Sequence, residues 1–221
     1  YKKTIDVKIS FGIFLFSALF ITGVLTQLLK HIVGRPRPNH TSLEHNIGFD
    51  FFNLNSEFHS FPSGHASTIF VVALTVAYFL PRLKYFMLFF ASIVAFSRVV
   101  VGAHFFTDLI GGLVVAYASI KLTELLMSRY KIAIKDKVGE DVNSLIGYWY
   151  KNSSFFYLLI IFFCLMLFVT IGSSIDIYLS GLFYFKKNQF LLQSHYDITI
   201  FFRKIILRII IIYILIMPII S

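Results

Sequence analysis

Long apolar runs separated by short polar intervals make up most of this chain. A helix that crosses a bilayer needs about 20 predominantly apolar residues. Six runs meet or approach that length: Ile9 to Val33, His65 to Leu80, Leu83 to Val101, His104 to Met127, Ser154 to Gly172 and Ile198 to Ile220. Pro81 and Gly102 fall between runs, where helix breakers mark tight connections. The pattern predicts an all-α fold, a polytopic membrane bundle of six transmembrane helices. Residues 1–127 form a four-span core and residues 128–153 a cytoplasmic linker. Residues 154–221 supply two further spans and an interfacial segment that pack on the core. Tyr148, Trp149 and Tyr150 read as an interfacial aromatic belt before the fifth span. Residues 175–192 alternate apolar and polar positions and are expected along the outer surface.

The polar intervals fall in register. The first run ends at Lys30 to Pro38, the second opens at Ser63, the third ends at Arg98 and the fourth opens at His104. Up-and-down alternation therefore brings these three polar clusters to one membrane face. The opposite face carries Lys2, Lys3, Lys8, Arg82, Lys84, Lys121, Arg129, Lys131, Lys135, Lys137 and Lys151. Cytoplasmic loops hold the excess of Lys and Arg, so the clusters are expected on the exterior or periplasmic side.

Composition narrows the class. The 221 residues are 57% hydrophobic with a mean hydropathy of +0.79, above the roughly half apolar content of a soluble domain. The net charge of +9 comes from 20 basic and 11 acidic residues. It fits loop lysines and arginines of a membrane protein. No basic cluster is interleaved with aromatics, so nucleic acid is not expected as a partner. The single cysteine, Cys164, lies in an apolar run; one thiol forms no intrachain disulfide and no cysteine metal site. The apolar run after Lys8 is too long for a signal-peptide core, and no small-residue cleavage site follows it. The initial Tyr1 reads as other than a native start.

Each cluster carries chemistry. In Lys30-His31-Ile32-Val33-Gly34-Arg35-Pro36-Arg37-Pro38, Lys30 and Arg37 flank a Gly-Pro bend and can close on one multi-oxygen anion. Alone, this reads first as a basic membrane-edge anchor. In Phe61-Pro62-Ser63-Gly64-His65, a Ser-Gly step opening a helix presents backbone N–H groups at the positive end of the dipole, an anion site. His65 then sits beside the anion. Alone, this is a plain helix start. In Ser97-Arg98-Val99-Val100-Val101-Gly102-Ala103-His104-Phe105-Phe106-Thr107-Asp108, the spacing of His104 and Asp108 puts both on one helical face. Asp108 would fix the imidazole tautomer and favour its charged form, while Arg98 offers a fork of donors. Alone, this is a structural His–Asp pair. Together, cations, helix amides and two histidines describe phosphoryl transfer by covalent catalysis. Which histidine attacks phosphorus is left open by the chemistry, although the Asp108 partner favours His104.

The pattern Lys-x6-Arg-Pro, Pro-Ser-Gly-His and Ser-Arg-x5-His-x3-Asp resembles the type 2 phosphatidic acid phosphatase (PAP2) family. It is complete at Lys30, Arg37, Pro38, Pro62, Ser63, Gly64, His65, Ser97, Arg98, His104 and Asp108. The likeness spans residues 9–127. The resemblance implies that His104 becomes a phosphohistidine, Asp108 orients it, and His65 protonates the leaving oxygen and then activates water. It implies that Lys30, Arg37, Arg98, Ser63 and Gly64 hold the phosphate oxygens. No metal or other cofactor is implied, and the loop histidines His40, His45 and His59 read as surface residues. The chain departs from the family in order. Members typically have two spans before the first motif, whereas one precedes it here. The stretch from Ser174 to Tyr184 resembles what the family carries between those two spans. A circular permutation is therefore expected, with Tyr1 and Ser221 close together on the cytoplasmic side.

A site at the membrane surface implies a lipid phosphate or diphosphate substrate. The six-span size resembles the bacterial members, which implies the inner (cytoplasmic) membrane with the site facing the periplasm. Lipid A 1-phosphate is the first expectation, because Arg203, Lys204 and Arg208 of the sixth run, with Lys186 and Lys187, suit a multiply phosphorylated headgroup. Arg208 alternatively snorkels to the interface. Undecaprenyl diphosphate and phosphatidylglycerol phosphate are the alternatives. No obligate protein partner is evident. Two other classes share the pocket: a vanadate-dependent haloperoxidase, against which six spans argue, and a non-catalytic lipid-binding bundle, which needs no nucleophile.

Overall fold

The computed structural model describes residues 7–40, 48–129, 173–185 and 189–190. Within them, helix α1 runs over Val7–Val33, α2 over Gly64–Phe79, α3 over Lys84–Val100, α4 over Phe106–Arg129 and α5 over Ser173–Gly181. Among the described residues the chain is helical apart from one antiparallel ladder of two residues per strand, β1 (Tyr184–Phe185) with β2 (Gln189–Phe190). The predicted fifth and sixth spans, the predicted linker beyond Arg129, and Arg203, Lys204, Arg208, Tyr1 and Ser221 lie outside the described residues.

Among the described residues, three helical stretches are long and apolar enough to cross a membrane: Ile9–Val33, Pro81–Val100 and Phe106–Met127. Helix α2 is apolar but only 16 residues long. It packs against α1, α3 and α4, which makes it the centre of the bundle. Its inward residues Ile69, Phe70, Val71 and Val72 join Phe14, Leu15, Val99 and Ile120 in one core.

The interfaces are built as membrane helices require. Lipid tails are as apolar as leucine, so hydrophobic transfer does not draw helices together there, and close approach of small residues does. Ala18, Ala66, Ala73, Ala91, Ala95 and Ala116 are buried between helices. Some buried hydroxyls are bonded within or between helices: Thr22 Oγ1 donates to the Ala18 carbonyl, and Thr26 and Ser67 bond across α1 and α2 at 3.1 Å. Large side chains such as Phe16, Phe20, Phe86, Phe89 and Ile93 point outward. So many exposed aromatics would be an aggregation liability in water and suit a lipid-facing wall. This is a membrane protein.

Chain direction brings the C-terminal ends of α1 and α3 and the N-terminal ends of α2 and α4 together, as the alternation of runs predicts. Gly34 ends α1 in the left-handed region at φ +56, and a Cβ there would overlap the Asp50 carbonyl. Only glycine fits that helix stop. The chain then turns so that Arg35 bridges His59 in parallel, with the Ser60 amide donating to the Arg35 carbonyl at 2.9 Å and the Arg37 amide to the Glu57 carbonyl at 3.0 Å.

Candidate active site

A cavity of about 610 Å³ opens at the convergence of these helix ends. Lys30 and Arg37 reach it from the end of α1, Gly64 and His65 from the start of α2, Arg98 from the end of α3, and His104 from the loop before α4. The three sequence clusters therefore meet at one wall. Lys30 is anchored there by donating Nζ to the His59 carbonyl at 2.8 Å.

Ser63 occupies a different position from the one expected. It is fully buried and is not part of the cavity wall. Its Oγ caps α2 by accepting from the Ala66 amide, and its own amide donates to the Asp108 carbonyl at 3.0 Å. A cap residue must supply its side chain to the first turn, which turns it away from the cavity. Gly64 and His65 are the first residues of α2, where amides have no intrahelical acceptor; they line the cavity. The cavity lining on this helix thus begins at Gly64, one residue later than predicted.

His104 also differs from the helical expectation. Helix α4 starts at Phe106, so His104 lies in the loop, and the pairing with Asp108 is not made across a helix face. The reason is local. The Asp108 carboxylate reaches back to accept from the Phe105 amide at 2.8 Å, which ends the helix there. The Ala103 and His104 amides both turn back to the Arg98 carbonyl. His104 Nδ1 bonds the Ser60 carbonyl at 2.8 Å, while Asp108 Oδ2 lies at 3.5 Å. Both neighbours are acceptors, so the proton belongs on Nδ1 and the Nε2 lone pair is left for the cavity. Burial pushes the His104 imidazole down to about 4; Asp108 opposes this, and Lys30 and Arg98 add to it. The resting ring is neutral, not the charged form that an adjacent carboxylate alone favours.

The sequence reading missed the buried support behind His104. Arg35 is completely buried. Its Nη1 donates to Asp108 Oδ1 at 2.6 Å and to Thr107 Oγ1 at 2.7 Å, and its Nη2 donates to Asp176 Oδ2 at 2.7 Å. The guanidinium stacks on the Phe105 ring, 4.4 Å from its centroid. Ser60 Oγ donates to Asp108 Oδ2 at 2.5 Å. Arg35 sits inside the first motif, two residues before Arg37, and Ser60 sits just before the second; adjacency to both motifs was the available signal. His59, expected at the surface, is buried, with Nε2 bonded to the Asn53 carbonyl at 2.9 Å. Its backbone carbonyl accepts from Lys30, and its ring packs against His31 at 4.4 Å between centroids. Among the described residues no group of His, Cys, Asp or Glu is arranged to hold a metal.

An apolar helical bundle that gathers cations, helix amides and two histidines around one cavity is a membrane protein with a cationic pocket. The chain belongs to the PAP2 superfamily, whose family model matches residues 11–131, more than half of its length. It is 34% identical over 124 residues to a lipid A 1-phosphatase of Rhizobium johnstonii, covering 56% of this chain and 51% of that protein. A lipid A 1-phosphatase of Rhizobium etli is 33% identical over 124 residues, covering 56% of this chain and 53% of that one. A phosphatidylglycerophosphatase B of Bacillus subtilis is 31% identical over 123 residues, covering 51% and 53%. The chain spans about half the length of these curated relatives. No solved structure matches it.

Proposed function

We propose that this protein is a metal-independent membrane lipid phosphatase acting through a phosphohistidine at His104. The observation that carries the reading is the single cavity lined by Lys30, Arg37, Gly64, His65, Arg98 and His104. Three cations and two backbone amides form a preorganised cradle for the equatorial oxygens of a phosphoryl group. Nδ1–H is held by the Ser60 carbonyl, so Nε2 attacks phosphorus as the P–O bond to the lipid breaks. His65 gives its proton to the departing oxygen. It then takes a proton from water as the water oxygen attacks phosphorus; the P–N bond breaks, its electron pair returns to His104 Nε2, and inorganic phosphate is released. Both histidines end as they began, and the electron pairs and protons balance. Asp108 stabilises the positive charge that His104 acquires on attack, the role a carboxylate plays behind any catalytic imidazole. Ser63 serves by capping α2 and setting the Gly64 and His65 amides.

The first substrate we propose is the 1-phosphate of lipid A, supported by the two rhizobial relatives. Phosphatidylglycerol phosphate is the second, supported by the Bacillus relative. The loop and helix charge distribution supports a bacterial cytoplasmic membrane, with the site facing the periplasm. Arg203, Lys204 and Arg208 are proposed headgroup contacts on sequence grounds alone.

The test is phosphate release by the protein in detergent micelles containing EDTA. Lipid A, undecaprenyl diphosphate, phosphatidylglycerol phosphate and phosphatidic acid are each presented to the wild type and to His104→Ala. Release from one of them, lost in the variant and indifferent to EDTA, is expected. Release that survives in His104→Ala would overturn the mechanism, and halide oxidation with bound vanadate would point to the haloperoxidase class.

A further inference from the structure

We propose that Asp176, far from the motifs in sequence, is a positioning residue for the nucleophilic histidine, acting through Arg35 and Asp108. This rests on the phosphohistidine reading above. Asp176 is completely buried on α5, outside the residues 11–131 that the family model matches. It makes two kinds of contact at the start of α4. Its Oδ2 accepts from Arg35 Nη2 at 2.7 Å and from Thr107 Oγ1 at 2.5 Å. Its Oδ1 accepts from the Thr107 amide at 3.1 Å. Thr107 is in the first turn of α4, where amides lack intrahelical acceptors, so Asp176 caps this helix from another part of the chain. The next residue is Asp108.

The arrangement fixes both the place and the charge of Asp108. Arg35 lies between two carboxylates, Asp108 on Nη1 and Asp176 on Nη2. One guanidinium against two carboxylates leaves the trio with a net negative charge. That charge faces the His104 ring, whose Nδ1 is 3.5 Å from Asp108 Oδ2. Without Asp176, Arg35 would neutralise Asp108 outright, and the imidazolium formed on attack would lose its counter-charge in a buried setting. The first turn of α4 would also lose an external cap. The segment after α5 seals the same loop: a Cβ on Gly102, at φ +68, would overlap the Phe190 ring. The stretch from Ser174 to Tyr184 therefore belongs to the catalytic apparatus, through support instead of substrate contact.

The experiment compares wild type, Asp176→Asn, Arg35→Gln and the double variant in micelles, on whichever lipid of the four-member panel the wild type cleaves fastest. Product inhibition by inorganic phosphate reports the cradle. Asp176→Asn should lower kcat roughly ten- to hundredfold, as loss of an outer-shell partner does at metal sites. KM and inhibition by phosphate should hold within about twofold, because no ground-state contact is removed. In the Arg35→Gln background the same substitution should lower kcat by a clearly smaller factor than in wild type, since only the Thr107 contacts remain to be lost. Wild-type kcat in Asp176→Asn, full additivity in the double variant, or equal loss of phosphate inhibition would each overturn the role. Should the Asn variants not fold, Thr107→Val keeps every charge and removes one link. It should lower kcat with KM unchanged, and wild-type kcat there would overturn the proposal. A wild type that cleaves none of the four lipids would overturn the phosphatase reading with it, whereas an active wild type with an indifferent Asp176 would strike at Asp176 alone.

Discussion

Arg98 and Arg35 are two guanidiniums close to one histidine in different settings: Arg98 lines the same cavity as His104, and Arg35 bonds the Asp108 that lies beside its ring. Arg98 ends α3 and faces the cavity, while Arg35 is sealed between Asp108 and Asp176 with no exposure at all. The first lines the cavity wall, and the second lies between two carboxylates inside the fold. A cation held at a cavity wall acts on the transition state, where its loss appears as rate. A cation inside a closed trio acts on the folded state, because its removal strands two buried carboxylates. Residue type alone does not assign a role; the partner does.

The largest effect that follows from this contrast belongs to neither arginine. His104→Ala should lower turnover by at least about 1000-fold, as removal of an attacking group does, with an unchanged melting temperature in micelles. Turnover within tenfold of wild type would dissolve the distinction between wall and hub. The arginines come next and should separate cleanly. Arg98→Ala should cost about 100- to 1000-fold in kcat with little change in Tm. Arg35→Ala should destabilise the fold by about 3–5 kcal/mol, read as a large drop in Tm. An Arg35→Ala protein that melts with wild type would break the comparison.

The pH profile sharpens it further. His104 is active when neutral, and burial holds it down to about 4. Above that value it carries no proton on Nε2, so kcat/KM should show no loss from His104 protonation between pH 5 and 7. On the alkaline side the rate should fall as His65 loses the proton it gives to the leaving oxygen. The profile is then one-sided in this range. A decline in kcat/KM on acidification from pH 7 to 5 that persists in His65→Ala, measured against the substrate's own phosphate titration, would contradict the buried, neutral ring. The smallest effect belongs to Lys121, which pairs with Glu124 at 2.8 Å on α4. Lys121→Ala should change stability by about 0.5 kcal/mol and leave turnover unaltered.

The same contrast explains what was legible in the sequence. The cavity wall was legible because its residues sit at helix ends in short local motifs, and alternation of apolar runs orders those ends without any structure. Lys30, Arg37, His65, Arg98 and His104 meet where that argument places them. The helical pairing of His104 with Asp108 failed because a spacing of four fits a helix only if the helix begins early enough, and Asp108 itself stops it at Phe106. Ser63 caps α2 where the motif predicts a phosphate contact, because capping and anion binding use the same residue types. Arg35 and Asp176 stayed hidden for another reason. They are 141 positions apart, and nothing local in either segment reveals that one carboxylate is held for the other's guanidinium.

The most direct test of the account is a rapid-quench search for the phosphoenzyme, using lipid substrate labelled in the scissile phosphate. Phosphohistidine is stable in base and labile in acid, which distinguishes it from a phosphoserine. The account predicts base-stable label on the wild type, more label on His65→Ala because hydrolysis slows, and none on His104→Ala. Label that persists on His104→Ala, or that moves with His65 instead, would contradict the assignment of His104 as the nucleophile.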